Sequence, residues 1–353
     1  MGQAPVCSFC TEKEKDIDLN NNSNPPKIII TDTKTLSQME PLISEGQNPP
    51  NNFNVSYIGG YTTSIKEGFG ILRWENRCEF KGNFHNGIPM GWGIFINPKI
   101  GKYYGQYDND KRNGYGIFKH ISDSIYEGNW INEKQNGVGM EQWADGSSYQ
   151  GDFIGGEKCG MGIYFFPDGN IYLGEWKQNK MNGYGIYKYE KDQLYMGEWV
   201  NGLRHGYGEI YSSNNNNYFI GFFKNDIKNG FFMVYNSRSK KIIVGFYCNG
   251  KVDGIVKYFR RGEEGKLIVV NNGKKIKEIS DEKKIEKFLD DKDNNIKNKN
   301  QFIKNVNYQK YFYMKRKELE NILNNKCDIK EVNSINERLR KFNKENNEIL
   351  TNE

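Results

Sequence analysis

Histidine and cysteine are the residues of this chain that most often carry catalysis or bind metal. The three histidines, His85, His120 and His205, lie far apart and show no catalytic spacing. The sequence also contains no P-loop, nucleophile elbow, HExxH or kinase motif. We therefore predict that the protein is not an enzyme and that it holds no cofactor.

The first ten residues contain a glycine and two cysteines that are candidates for modification. Gly2 followed by Cys7 and Cys10 is similar to a dual acylation signal, with myristate on the glycine and palmitate on a cysteine, although Val6 stands where the signal prefers Ser or Thr. Two acyl chains anchor a protein stably to a membrane, whereas one does not. The alternatives are an unmodified tail and half of a zinc site. Because no second Cys or His pair follows to complete four ligands, we predict no metal.

Glycines recur along the chain with a fixed period, which argues against isolated phosphate-binding loops. The first glycine of each copy lies between two residues that are aromatic in all but one case, and the copies are 23 residues apart six times and then 24 apart twice. A second glycine follows nine residues later in every copy, and a third follows two residues after that in the first seven. The first glycines are Gly59, Gly82, Gly105, Gly128, Gly151, Gly174, Gly197, Gly221 and Gly245. A period of this length is the signature of a repeat architecture.

The most regular copies resemble a known family of repeats. One reads Tyr-Leu-Gly-Glu-Trp over 172–176 and Asn-Gly-Tyr-Gly over 182–185, and the next reads Tyr-Met-Gly-Glu-Trp over 195–199 and Arg-His-Gly-Tyr-Gly over 204–208. This pattern resembles the MORN (membrane occupation and recognition nexus) repeat, which has Tyr-x-Gly-x-Trp followed by His-Gly-x-Gly, and the resemblance covers about residues 57–260. The residues expected to be structural in these two copies are Gly174, Trp176, Gly183, Gly185, Gly197, Trp199, Gly206 and Gly208.

Each copy is predicted to form a β-hairpin. Since alternate side chains of a strand share a face, Tyr172, Gly174 and Trp176 point the same way. A six-residue loop, 177–182, is expected to link the two strands, and Asp-Gly pairs at 145–146 and 168–169 supply turns toward the next copy. We expect the rings to pack over the glycines of neighbouring hairpins. The predicted fold class is an all-β repeat array of about nine hairpins in an elongated, twisted antiparallel sheet.

The composition divides the chain into three parts. Residues 1–54 are expected to be a flexible tail, residues 55–262 the repeat array, and residues 271–353 an α-helical segment, because glycine disappears after Gly273 and an apolar periodicity begins. Leu339 and Phe342 lie on one apolar seam of that segment and are predicted to contact a protein partner or a second copy in a homodimer. The alternative is a helix that packs on the sheet.

The overall composition excludes several classes of protein. The 14% of aromatic residues is too high for a disordered chain, and the formal net charge of +6 is too small to imply nucleic-acid binding. No apolar stretch is long enough to cross a membrane as a helix. Six scattered cysteines form no disulfide framework, which predicts an intracellular setting.

The resemblance implies a non-enzymatic scaffold that recruits protein partners in a cortical or cytoskeletal assembly. Together with Gly2, Cys7 and Cys10, it suggests a peripheral position on the cytosolic face of a membrane, either the plasma membrane or a cortical inner membrane complex. The alternatives are a soluble adaptor in the cytoplasm and a module that binds acidic phospholipids.

Overall fold

The computed structural model describes residues 55–190, 193–212, 216–260 and 266–279. These residues form one antiparallel sheet of 21 strands. Each strand pairs with its neighbours in sequence, except that the two-residue strand 251–252 and the next strand, 254–260, both pair with the strand 241–248. The strands are β1 (Val55–Thr62), β2 (Ile65–Trp74), β3 (Glu79–His85), β4 (Ile88–Asn97), β5 (Gly101–Asp108), β6 (Lys111–His120), β7 (Ile125–Ile131), β8 (Lys134–Gln142), β9 (Ser148–Ile154), β10 (Glu157–Phe165), β11 (Ile171–Lys177), β12 (Lys180–Lys188), β13 (Gln193–Val200), β14 (Leu203–Ser212), β15 (Asn217–Lys224), β16 (Ile227–Asn236), β17 (Lys241–Cys248), β18 (Lys251–Val252), β19 (Gly254–Arg260), β20 (Lys266–Asn271) and β21 (Lys274–Ile279). The predicted all-β repeat array is confirmed.

Two-residue turns join the strands within each hairpin. Between β11 and β12 only Gln178 and Asn179 intervene, with φ of 50° and 63°. Turns with positive φ at both central residues match the twist of a hairpin and favour Asn, Asp and Gly, which accounts for many of the asparagines. The predicted six-residue loop 177–182 was therefore wrong, because strand pairing resumes as early as Lys180.

The second glycine of each copy forms a β-bulge. The pairing of β11 with β12 passes from Gly174 opposite Gly185 to Trp176 opposite Met181, so that β12 contains extra residues at this point. Gly183 lies in that bulge with φ of +72°. Because side chains rarely adopt this left-handed conformation, glycine is the preferred residue there.

The aromatic rings cover glycines of their own hairpin. A Cβ atom added to Gly185 would lie 2.6 Å from Cζ of Tyr172, and one added to Gly174 would lie 2.6 Å from the Tyr172 hydroxyl oxygen. The expectation that each ring packs over the glycines of a neighbouring hairpin was wrong. The reason is register, since Gly174 and Gly185 stand directly opposite each other and form one notch beside Tyr172.

The sheet has two faces with different side chains. The first face carries Tyr172 and Trp176, and the second face carries Leu173 and Ile186, since adjacent residues of a strand point to opposite sides. Buried side chains occur on both faces.

One hairpin more than predicted extends the C-terminal end of the sheet. β20 pairs with β19, and β21 pairs with β20 across a turn at Asn272 and Gly273. The prediction of an α-helical segment over 271–353 was wrong, because residues 271–279 complete this tenth hairpin and no residue that the structure describes is helical. Gly273 is thus a turn residue of the sheet and does not mark its end. Residues 280–353, with Leu339 and Phe342, and residues 1–54, with Gly2, Cys7 and Cys10, lie outside the described ranges.

Candidate functional site: an aromatic face with a groove

An unbroken row of aromatic rings runs along the first face, and we call it the aromatic ladder. Tyr172 makes edge-to-face contacts with Trp176 of its own hairpin at 5.3 Å and with Trp199 of the next hairpin at 5.4 Å. The same alternation continues in both directions. The members are Tyr57, Phe84, Phe80, Tyr107, Tyr103, Trp130, Tyr126, Phe153, Tyr149, Trp176, Tyr172, Trp199, Tyr195, Phe223, Phe219 and Tyr247.

Hydrogen bonds fix the polar ends of these rings. The Tyr172 hydroxyl donates to the carbonyl oxygen of Glu175 at 2.9 Å, and the indole nitrogen of Trp199 donates to the carbonyl oxygen of Gly185 at 3.2 Å. The second bond joins one hairpin to the preceding one. Burial raises the pKa of Tyr172 far above its ordinary value, so the hydroxyl remains a donor.

Acidic side chains on the second face accept hydrogen bonds from backbone N–H groups at the bulges. Glu175 accepts from the backbone N–H of Tyr184 at 3.2 Å, and Glu198 accepts from that of Tyr207 at 3.1 Å. A Cβ added to Gly183 would lie 2.8 Å from the Glu175 carboxyl carbon. The Glu175 carboxylate, and not the expected aromatic ring, therefore lies over Gly183.

Basic side chains lie over the ladder at the hairpin-turn side. The Arg112 guanidinium carbon is 4.3 Å from the centre of a Trp130 ring, and the Lys228 ammonium is 4.1 Å from the centre of Phe219. Lys66, Lys158 and Arg204 occupy the same strand position in other hairpins and also lie over ladder rings. Each such contact is a cation–π interaction. No sequence argument singled out these residues, although their recurrence one position after the start of a strand was visible in the repeat.

A groove opens on the first face over the second to fourth repeats. Its volume is about 940 Å3. Half-buried rings such as Phe95 and Phe118 lie beside the ladder there. The aromatic side chains that line the groove include Trp74, Phe80, Phe95, Tyr103, Phe118 and Trp130.

Charged side chains at the margins give the groove a slight excess of carboxylates. The acids are Asp110, Glu133 and Glu141, and the bases are Arg112 and Lys134. The Arg112 charge is already paired in a salt bridge, because its Nε is 2.8 Å from Glu133 Oε2. Burial and the nearby Glu133 charge raise the pKa of Asp110. Burial also raises the pKa of Glu141, and the Lys158 charge 3.9 Å away offsets part of that rise.

A comparison with protein-family models identifies the hairpin. The model described as MORN repeat matches six stretches, and every match begins at the ladder residue that covers the paired glycines. The matched residues are 80–99, 103–122, 126–148, 149–171, 172–192 and 195–217.

Residues 80–217 of this chain are a run of six MORN repeats.

A similar hairpin recurs on both sides of the matched residues, since Tyr57 lies over the paired Gly59 and Gly70, and Phe219 lies over Gly221.

Two solved structures show a loose similarity to the MORN array. The TCP domain of SAS-4 (dCPAP) from Drosophila melanogaster, in complex with a proline-rich motif of Ana2 (dSTIL), has 12% sequence identity and a TM-score of 0.30, and covers 53% of this chain and 99% of its own. A mutant TCP10 domain of Danio rerio CPAP has 10% identity and a TM-score of 0.25, and covers 60% of this chain and 99% of its own. TM-scores this low carry no argument. No curated protein matches the chain significantly.

The histidines of the MORN array lie in separate hairpins and have separate surroundings. His85 contacts Glu67 at 2.9 Å and His120 contacts the Ser122 hydroxyl at 2.7 Å, while the Nδ1 atom of His205 is buried without a hydrogen-bond partner. Within the described ranges, no group of His, Cys, Asp and Glu side chains is arranged to hold a metal ion. Over the same residues, no helix is long and apolar enough to cross a membrane.

Proposed function

We propose that this protein is a non-enzymatic scaffold that binds protein partners through the groove on its first face. MORN repeats indicate a repeat-based adaptor or scaffold. The observation that carries the proposal is the groove itself, because it combines an open aromatic floor with few charged groups, as peptide-binding surfaces do.

The chemistry of the groove favours an extended partner segment with apolar side chains and at least one Lys or Arg. Aromatic rings give such a segment apolar contact and cation–π contact. Asp110 offers a carboxylate, whereas Glu133 is paired with Arg112 and Glu141 lies 3.9 Å from Lys158.

The test selects phage-displayed random peptides on the full chain and measures affinities of the enriched peptides. We expect peptides that combine apolar and basic residues. Phe118→Ala should weaken their binding about tenfold, as for a central interface residue, and Asp110→Asn should weaken the basic peptides selectively. The control is Tyr187→Ala, which removes a ring at the same strand position outside the groove. Equal losses in the Phe118 and Tyr187 variants, or selection of acidic peptides, would contradict the proposal.

We further propose that the scaffold is attached to the cytosolic face of a membrane, at the plasma membrane or a cortical inner membrane complex, by myristate on Gly2 and palmitate on Cys7 or Cys10. The pattern of these residues supports the proposal. The test is fractionation of variants tagged at the C-terminus. Gly2→Ala should release the protein to the cytosol, and the double change of Cys7 and Cys10 to Ser should leave weak attachment, because a single myristoyl chain binds membranes only marginally. If the Gly2→Ala protein stays in the membrane fraction after a high-salt wash, the acyl anchor is refuted. If the unaltered protein is already in the cytosol, a cytoplasmic adaptor is the correct description.

A further inference from the structure

The sheet ends at its N-terminal edge with a ring that has no ring of a preceding copy beside it. Tyr61 in β1 is 39% exposed, whereas the rings at the same repeat position in the second to eighth copies are 8% exposed or less. Each of those rings contacts a ring of the copy before it, as Phe84 contacts Tyr57 at 5.2 Å. Tyr61 contacts Tyr57 of its own hairpin at 5.1 Å. The described residues therefore leave the aromatic row unfinished at β1.

The two edges of the sheet differ in charge. β1 contains no charged residue over its eight positions, and among the described strands it pairs with β2 alone. β21, at the other edge, carries Lys274, Lys275, Lys277 and Glu278. Charged residues on an edge strand, lysine above all, oppose pairing with another chain, whereas a long uncharged edge strand offers its free backbone groups to one. Pairing is thus expected at β1 and not at β21.

A row of opposed glycines determines which strand fits beside β1. Gly59 stands opposite Gly70, and Gly70 stands opposite Gly82 on its other side. A Cβ added to Gly59 would lie 2.7 Å from Cζ of Tyr57, so a ring covers this glycine. Within the described ranges the row stops at β1. A strand that continues the row needs a glycine, and it needs an aromatic residue two positions earlier to cover that glycine.

We propose that β1 pairs with β1 of a second copy of this chain, antiparallel and with Gly59 opposite Gly59. Residues 1–54 contain glycine at positions 2 and 46 alone, neither of which has an aromatic residue two positions earlier, and residues 280–353 contain no glycine. The other strands that carry the aromatic–glycine pattern are already paired on both sides. The strand that remains is β1 of another copy.

The register of this pairing gives the exposed ring a partner. With Gly59 opposite Gly59, Tyr57 of one copy stands opposite Tyr61 of the other copy, and the reverse pair forms by symmetry. Aromatic residues directly opposite each other on antiparallel strands pack together and stabilise the pairing. The four rings then join the aromatic rows of the two copies.

Such a dimer is closed. The pairing uses β1 of both copies and leaves the charged β21 at both outer ends, so no further copy adds to the sheet. Because the two-fold axis stands perpendicular to the sheet, the first faces of both copies lie on the same side, and their two grooves open in the same direction. The dimer itself does not depend on what the groove binds.

The first test is sedimentation velocity of the full chain over a range of concentrations. We expect a monomer–dimer equilibrium with no larger species. Tyr61→Lys should weaken the dimer about tenfold or more, because it removes the exposed rings and brings a lysine of each copy to the interface. Tyr61 is exposed, so this variant should stay folded, which tryptophan fluorescence checks. The control is Ile276→Lys, at an exposed position of β21 on the other edge, which should leave dimerisation unchanged.

Three results of this experiment would overturn the proposal. A monomer at every concentration would do so in favour of an edge that the same chain covers. Equal weakening by Tyr61→Lys and Ile276→Lys would show that β1 is not the interface. Species larger than a dimer would show an open assembly, in which β1 of one copy pairs with β21 of the next.

The second test reads the register by disulfide formation. In the proposed pairing Ser56 of one copy stands opposite Thr62 of the other, with Cα atoms about 4.5–5.5 Å apart, which suits a disulfide. Within one chain these residues are about 20 Å apart along β1, so they cannot link. The double variant Ser56→Cys, Thr62→Cys should therefore form a 56–62 link between copies under mild oxidation, identified by mass spectrometry of the linked peptides.

The controls for the register are the two single variants. Ser56→Cys should not link 56 to 56, and Thr62→Cys should not link 62 to 62, because these positions lie at opposite ends of the paired strands. Adding Tyr61→Lys to the double variant should reduce the 56–62 link about tenfold, in step with the dimer. A dimer without the 56–62 link, or equal yields in the single variants, would refute the pairing of β1 with β1.

Discussion

Replacing Gly185 with alanine is the sharpest test of the ring-over-glycine arrangement. The added Cβ would lie 2.6 Å from Cζ of Tyr172, closer than packed atoms allow. Gly185 has no positive φ, so backbone strain does not contribute and the effect is steric. Tyr172 is fully buried and has no free space into which it can move.

The expected loss is about 3 kcal/mol of unfolding free energy. Overpacking a core typically costs about 1–3 kcal/mol. A displaced Tyr172 ring also weakens its contacts with Trp176 and Trp199, each worth about 0.5–1.5 kcal/mol, and its hydrogen bond to Glu175, worth about 1 kcal/mol. The terms are not independent, so the estimate lies near the lower end of their sum.

The assay is urea denaturation followed by tryptophan fluorescence, with a double-mutant cycle. In a Tyr172→Ala background the ring is gone, and Gly185→Ala should cost about 0.5 kcal/mol or less, a coupling of about 2.5 kcal/mol or more. Gly183→Ala is the matched control two residues away, where the cost of a left-handed residue is about 1–2 kcal/mol and Tyr172 plays no part. If Gly185→Ala cost the same with and without the Tyr172 ring, the steric reasoning would be refuted.

Three further outcomes are expected. Gly183→Val should destabilise more than Gly254→Val, because both have positive φ but only the first meets a side chain, and equal thermal shifts would contradict this. Trp199→Phe should lower the unfolding free energy by about 1 kcal/mol more than the loss of buried area alone, because the hydrogen bond to Gly185 is lost. Chemical denaturation measures this difference, and a difference of zero would show that the bond does not join the hairpins. Alkaline titration should unfold the protein from about pH 10 upward. In the folded state burial raises the pKa of ladder tyrosines such as Tyr172, so the native state holds protons that the unfolded state releases, and stability is present below the unfolded pKa and lost as pH rises. Tyr172→Phe should reduce this loss of stability at high pH. An unchanged pH midpoint of alkaline unfolding, followed by circular dichroism, would contradict the role of Tyr172.

Much of the fold could be predicted from the repeat alone. A constant spacing between aromatic residues and glycines predicts the same hairpin in every copy, since equal patterns under equal local rules give equal structures. The Asp-Gly pairs at 145–146 and 168–169 were also identified correctly as turns between hairpins, because Gly146 and Gly169 have positive φ and the Asp145 and Asp168 side chains accept from the backbone two residues on.

The tenth hairpin could not be predicted in this way. Residues 266–279 lack the aromatic–glycine signal and have the Lys and Ile content of the following segment, so composition placed part of them with a helix. Their strands form because the edge of the sheet at β19 offers unpaired backbone groups, to which β20 adds by hydrogen bonding. That template exists only once the array has folded.

The sequence by itself determined the period, the strand alternation and the set of rings and small residues that must pack together, because these depend on residue type and spacing along the chain. Only the tertiary structure decided which glycines Tyr172 covers, that Gly183 lies in a bulge beside Glu175, and that Arg112 lies over Trp130 from a different hairpin. These depend on register and on side-chain reach between strands. A shift of one residue in register would move every side chain to the other face without changing the sequence pattern.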